Sequence, residues 1–62
     1  MPRSYYLDDM EGFVREGDKV ICKANLESPN LTVGKLYKVM QGMMIKDDNN
    51  LLTFPSARFM KG

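Results

Sequence analysis

The chain has no histidine, no tryptophan and only one cysteine among its 62 residues. A single cysteine excludes an internal disulfide, and without histidine or a second cysteine the ligands of an ordinary zinc site are missing. Cys22 has no histidine to activate it, so the sequence offers no nucleophile–base pair. The glycines form no phosphate-cradling motif. We therefore expect a protein that is not an enzyme and that needs no metal or other cofactor.

Long apolar runs are also missing. No stretch approaches the roughly 18 residues that a membrane-spanning segment needs. The first residues do not combine a basic start with an apolar stretch, as a secretory signal would. A lone thiol fits a reducing compartment. These features predict a cytoplasmic protein with no membrane contact.

Net charge is small, because nine basic side chains face eight acidic ones and leave +1. The distribution is uneven: residues 1–31 carry four basic and six acidic groups, whereas residues 32–62 carry five basic and two acidic groups. The second half therefore has a modest basic surface that could contact nucleic acid phosphates. Its basic residues are Lys35, Lys38, Lys46, Arg58 and Lys61.

Residues 1–16 differ from the rest and are expected to form an N-terminal arm. Ser4 can cap a short helix over Tyr5–Met10. Such a short helix is marginal unless its aromatic side chains pack on something. Two alternatives remain open: Tyr6, Leu7 and Phe13 cover one open end of a small core, or the arm contacts a partner or a second copy of the chain.

From Gly17 onward, apolar residues recur at every second position, the spacing of half-buried strands. The predicted strands cover residues 19–25, 35–40, 43–46, 51–54 and 59–61. Residues 56–58 have the length of a single 3₁₀ turn. Asp and Asn at residues 47–50 predict a tight hairpin turn, with the two aspartates bonding turn amides and facing water.

The same alternation predicts which side chains are buried. Cys22 points inward, where a free cysteine behaves as a small hydrophobic residue. Tyr37 and Val39 share the inward face of one strand, and Phe59 closes the core.

Three motifs, in this order, resemble a known family. They are LTVGKLYKV (31–39), IKDD (45–48) and PSARF (55–59). Their pattern, L-T-x-G-K-x-Y-x-V … I-x-D-D … P-x-x-R-F, is similar to that of small SH3-like β-barrel proteins of bacteriophages and bacteria. The likeness covers about residues 17–61.

This resemblance implies a mainly β fold with a five-stranded SH3-like open barrel and a 3₁₀ turn before the last strand. The barrel would occupy residues 17–62. The arm over residues 1–16, expected from its own sequence to be partly helical, lies outside the likeness. The resemblance implies a phage or bacterial origin, and so a bacterial cytoplasm, more than an activity. Proline-rich binding is disfavoured, because Ala57 and Arg58 replace the Asn and Tyr of the eukaryotic Pro-Ser-Asn-Tyr segment and tryptophan is absent.

Two classes of non-enzymatic function fit the remaining features. The first is a small accessory protein that binds a host or phage protein and modulates or inhibits it. The expected partner-binding residues are Tyr5, Tyr6, Met43, Met44 and Arg58. The alternative is a nucleic-acid-binding barrel that uses the five basic residues of the second half. A self-associating module, such as a homodimer, would use the same tyrosine and methionine surface.

Overall fold

Alternating buried and exposed residues build one antiparallel sheet in the computed structural model, which describes residues 3–62. The strands are β1 (Tyr5–Tyr6), β2 (Lys19–Ala24), β3 (Leu36–Met40), β4 (Met44–Lys46), β5 (Leu52–Thr53) and β6 (Arg58–Lys61). Their order across the sheet is β1-β6-β2-β3-β4-β5, so the sheet is open, with β1 and β5 as its edges. The expectation of a mainly β protein is confirmed.

The sheet curls round a single core that contains Phe59. Phe59, Val20 and Val39 are fully buried, as is the thiol of Cys22. The ring of Tyr37 meets that of Phe59 edge to face, with centroids 6.5 Å apart, a favoured aromatic geometry. The inward orientation predicted for Cys22, Tyr37, Val39 and Phe59 is therefore confirmed.

The described part of the N-terminal arm contributes to this core, while its first two residues lie outside the described residues. Leu7, Met10 and Val14 are buried in the same cluster as the inward-facing residues of the strands. β1 pairs antiparallel with β6, with Tyr5 opposite Phe59. The sheet thus has six strands where five were predicted, because the arm supplies an edge strand.

The helix predicted over Tyr5–Met10 is wrong in extent. Tyr5 and Tyr6 are held extended by their pairing with β6, and only Asp8–Met10 forms a 3₁₀ turn. Leu7, not Ser4, stands before this turn, and no side chain of residues 3–62 caps it. Strand pairing therefore prevails over the local helical preference.

The 3₁₀ turn predicted over residues 56–58 is also wrong. The Ser56 amide donates to Ser28 Oγ at 2.9 Å, and the Ser56 carbonyl accepts from the Glu27 amide at 3.3 Å. These bonds tie the backbone to a distant loop, so it cannot close a turn on itself. Ala57 is a buried bend, and β6 begins at Arg58.

The connection between β3 and β4 places Met43 outside the strand that was predicted to contain it. Met40 pairs with Met44, which leaves a three-residue turn. Gly42 and Met43 both adopt positive φ, 74° and 58°. This conformation costs roughly 1–2 kcal/mol for a residue with a side chain, so Met43 is held there by its surroundings.

The hairpin turn predicted between β4 and β5 is confirmed. Asp47 Oδ1 accepts the amides of Asn49 and Leu51 at 2.9 and 3.0 Å. Asn50 has a φ of 63°, a left-handed conformation that asparagine tolerates. Asp47 therefore bonds turn amides, as expected.

Candidate functional site

A groove runs between the N-terminal segment and the segment that follows β5. Its volume is about 750 Å³. We call it the acidic groove; its lining residues are Tyr6, Leu7, Asp8, Asp9, Glu11, Gly42, Met43, Phe54, Pro55 and Ser56. The two walls come from opposite edges of the sheet, because β1 leads into one wall and β5 into the other.

The chemistry of the acidic groove combines an apolar lining with negative charge. Phe54 exposes 70% of its surface, which is unusual for a phenylalanine. Asp8, Asp9 and Glu11 are exposed, and no lysine or arginine of residues 3–62 is part of the lining. Such a surface attracts a positively charged ligand that also has apolar groups.

Two of the five predicted partner-binding residues, Tyr6 and Met43, line the acidic groove. Tyr5, 44% exposed, lies in a separate hollow beside Phe13. Met44 lies opposite Met40 and is half-buried. The predicted set is therefore spread over several surfaces.

Arg58, the fifth predicted contact, is engaged within the chain. Its guanidinium lies 4.6 Å from the centre of the Tyr6 ring. Arg58 Nη1 also donates to the Ser4 carbonyl at 3.3 Å. Both contacts hold β1 against β6, so Arg58 positions one wall of the acidic groove.

Asp48 forms a second polar cluster, which the sequence interpretation missed. Its Oδ1 accepts from Lys35 Nζ and from the Tyr37 hydroxyl, each at 2.8 Å, and its Oδ2 accepts from Thr32 Oγ1 at 2.7 Å. The Tyr37 hydroxyl in turn accepts the Thr32 amide at 2.7 Å. Asp48 therefore bonds side chains of the preceding loop and strand.

The ionisation of this cluster follows from its bonds. The hydrogen bonds from Lys35, Thr32 and Tyr37 lower the pKa of Asp48 from 3.8 to about 2. The bond to Asp48 raises the pKa of Lys35, and burial raises the pKa of Tyr37. The cluster ties the LTVGKLYKV and IKDD motifs to each other, so their joint presence has a structural reason.

The five basic residues that were predicted to contact phosphates also lie on different parts of the surface. Lys35 pairs with Asp48, Arg58 covers Tyr6, and Lys61 lines the same hollow as Tyr5. Lys38 and Lys46 are exposed on adjacent strands. Lys19, which the sequence interpretation left out, lies directly opposite Lys38; only strand register could have identified it.

The thiol of Cys22 is buried in the core. Burial raises the pKa of the Cys22 thiol, which keeps it protonated and unreactive. Across residues 3–62, no three His, Cys, Asp or Glu side chains are grouped so as to hold a metal ion.

No protein-family model, curated protein or solved structure matches the chain. None of the helical turns between residues 3 and 62 has the length and apolar character required to cross a membrane.

Proposed function

We propose that this protein is a small, non-enzymatic SH3-like barrel of phage or bacterial type that binds a host or phage protein in the bacterial cytoplasm and modulates or inhibits it. The acidic groove is the binding site in this proposal. The observation that carries it is an apolar lining, with an exposed Phe54, beside three negatively charged side chains.

The order of the elements supports the barrel assignment. A long loop joins β2 to β3, short turns join β3 to β4 and β4 to β5, and β6 returns to pair with β2. The five strands β2–β6 correspond in order to the five that the resemblance implies. β1 is an addition at the edge, and the bend at Ala57 takes the place of the 3₁₀ turn.

The groove favours a partner segment with lysine or arginine next to large apolar side chains. Asp8, Asp9 and Glu11 supply negative charge at one wall, so basic residues of the partner are attracted and acidic ones are repelled. Phe54 and Met43 supply the apolar contact; aromatic residues and methionine are both enriched at interfaces.

The predicted contacts have different roles in this proposal. Tyr6 and Met43 touch the partner, and Met43 lines the groove while it also packs against the core. Arg58 acts indirectly through Tyr6. Tyr5 and Met44 lie outside the groove and would contact only a partner that extends beyond it.

Selection from a random peptide library tests the groove directly. We expect enriched peptides to carry arginine or lysine beside leucine, phenylalanine or tryptophan. Phe54→Ser should weaken their binding more than tenfold. The matched control is Phe13→Ser, because Phe13 is 75% exposed but lies outside the groove.

A second pair of variants tests the charges. Asp8→Asn with Asp9→Asn should weaken binding and reduce its dependence on salt, whereas Glu16→Gln, an exposed acid outside the groove, should do neither. Enrichment of acidic peptides, or binding that survives Phe54→Ser, would refute the proposal. Size-exclusion chromatography on dilution distinguishes a homodimer, whose elution would shift with concentration.

A further inference from the structure

The charged side chains on the strands are all of one sign. Those residues are Lys19, Lys23, Lys38, Lys46, Arg58 and Lys61. Every acidic residue of the described chain lies outside the six strands. The small net charge therefore hides a separation of charge between the sheet and its connections.

Three of these lysines form a row across the outer face of the sheet. Lys19 and Lys38 lie directly opposite each other on β2 and β3. On the antiparallel strands β3 and β4, Val39 pairs with Ile45. The residue before Val39, which is Lys38, therefore lies opposite the residue after Ile45, which is Lys46. All three are exposed, while their strand neighbours Val20, Val39 and Ile45 are buried, which puts the three on one face. We call these residues the lysine row.

The lysine row is costly to the fold. Neighbouring strands lie about 4.8 Å apart, so three of them carry positive charges along a line of about 10 Å. Like charges directly opposite each other on paired strands destabilise a sheet. Among residues 3–62 the only ion pair joins Lys35 to Asp48, so none of the three lysines forms an ion pair.

Apolar pairs flank the lysine row on both sides. Ile21 lies opposite Leu36 on one side, and Met40 lies opposite Met44 on the other. Leu36 is 50% exposed, and the other three are half-buried. These two pairs contain no aromatic ring on which a nucleobase could stack.

We propose that the lysine row binds the phosphodiester backbone of nucleic acid, with duplex preferred to single strand and without regard to sequence. A nucleic acid duplex carries about one negative charge per 1.7 Å of its axis. A linear row of lysines suits so dense a line of phosphates. Single-strand recognition depends on aromatic stacking, which the flanking pairs cannot provide. This site is separate from the acidic groove.

An anionic membrane is a weaker match. Membrane binding by a surface of this kind needs apolar side chains that project into the lipid. On this face Ile21, Met40 and Met44 are half-buried. Only Leu36 and Leu52, the residue opposite Lys46, are about half exposed, which is a small apolar area to insert into lipid.

Fluorescence anisotropy tests the proposal with a labelled duplex DNA and the matching single strand, each titrated at several salt concentrations. The expected plot of log affinity against log salt has a slope no steeper than about −3, because three lysines release at most about three counterions. Lys38→Gln should make the slope shallower by about one, and Lys19→Gln, Lys38→Gln and Lys46→Gln together should abolish binding. Lys61→Gln, on β6 and outside the row, is the control.

Three results would overturn the proposal: unchanged duplex binding by the triple variant, tighter binding of the single strand, or binding to phosphatidylserine vesicles without binding to DNA. Thermal unfolding of each variant excludes misfolding, because removing the like-charge row should leave the melting temperature unchanged or higher. Asp8→Asn with Asp9→Asn should leave DNA binding intact or stronger, so failure here is distinguishable from failure of the acidic groove.

Discussion

The two edges of the sheet are fastened to the rest of the molecule by different interactions. At the β1 edge, Leu7, Met10 and Val14 enter the core, so apolar burial holds the segment. At the other edge, the turn before β5 is held by hydrogen bonds to the ionised Asp48. Apolar burial at the β1 edge is insensitive to pH, whereas the hydrogen bonds to the Asp48 carboxylate depend on pH. We call these two sets of contacts the apolar fastening and the polar fastening.

The largest expected effect is at the apolar fastening. Leu7 is 2% exposed, so Leu7→Ala should lower the free energy of unfolding by about 2–5 kcal/mol. That loss is a large share of the total free energy of unfolding of so small a domain. Urea unfolding measures the loss. Asp9→Ala, an exposed neighbour, is the control; equal stability of the two variants would show that the arm is not part of the core.

Removal of one hydroxyl at the polar fastening should have a smaller effect. Tyr37→Phe keeps the buried ring but removes a donor to Asp48 and the acceptor of the Thr32 amide. We expect a loss of about 1 kcal/mol in urea unfolding. Tyr5→Phe, at an exposed tyrosine, should change stability little; a similar loss in both variants would contradict the assigned role of Tyr37.

The pH dependence of stability separates the fastenings most clearly. The pKa of Asp48 is about 2 in the folded chain and ordinarily 3.8, so its contribution is complete above about pH 4 and is lost as pH falls through 2. Wild type should therefore lose more stability than Asp48→Asn between pH 4 and pH 2. Parallel acid profiles of the two proteins would refute this assignment.

At high pH the dependence is reversed, and stability falls as the pH rises. The pKa values of Lys35 and Tyr37 are raised in the folded chain above 10.5 and 10.0. Their contributions are complete below the unfolded values and are lost as pH rises through the folded ones. The polar fastening should therefore weaken at both extremes of pH.

The smallest expected effect is at Arg58. Arg58→Ala removes the contact with the Tyr6 ring, and exposed contacts of this type contribute about 0.5–1 kcal/mol. Global stability should change little, whereas hydrogen exchange at the β1 amides should accelerate. Lys61→Ala, on the same strand, is the control; equal exchange rates in both variants would show that Arg58 does not hold β1.

The alternation of apolar and polar residues predicted much of this fold, because it reflects which side chains are buried. Tyr37 and Val39 lie on the inward face of β3, and Cys22 and Phe59 are in the core, as period-two spacing predicts. The errors arose where distant contacts determine the backbone. Residues 5–6 extend because β6 pairs with them, and residues 56–58 bend because Ser28 and Glu27 bind Ser56.

The candidate sites were harder to predict, because each is assembled from separate parts of the chain. Asp47 and Asp48 are adjacent and chemically identical, yet one bonds local amides and the other bonds Thr32, Lys35 and Tyr37. The lysine row likewise depends on register, which composition does not reveal. Tyr6 and Met43 were among the predicted contacts, whereas the carboxylates that line the same groove were not.

The shortness of β1 gives the two proposed binding surfaces different lifetimes. A two-residue edge strand opens far more often than the sheet as a whole. Each opening displaces Tyr6 from the acidic groove, although buried Leu7 keeps the rest of that wall in place, whereas β2, β3 and β4 hold the whole lysine row. On gentle warming, peptide binding should therefore weaken before nucleic acid binding does.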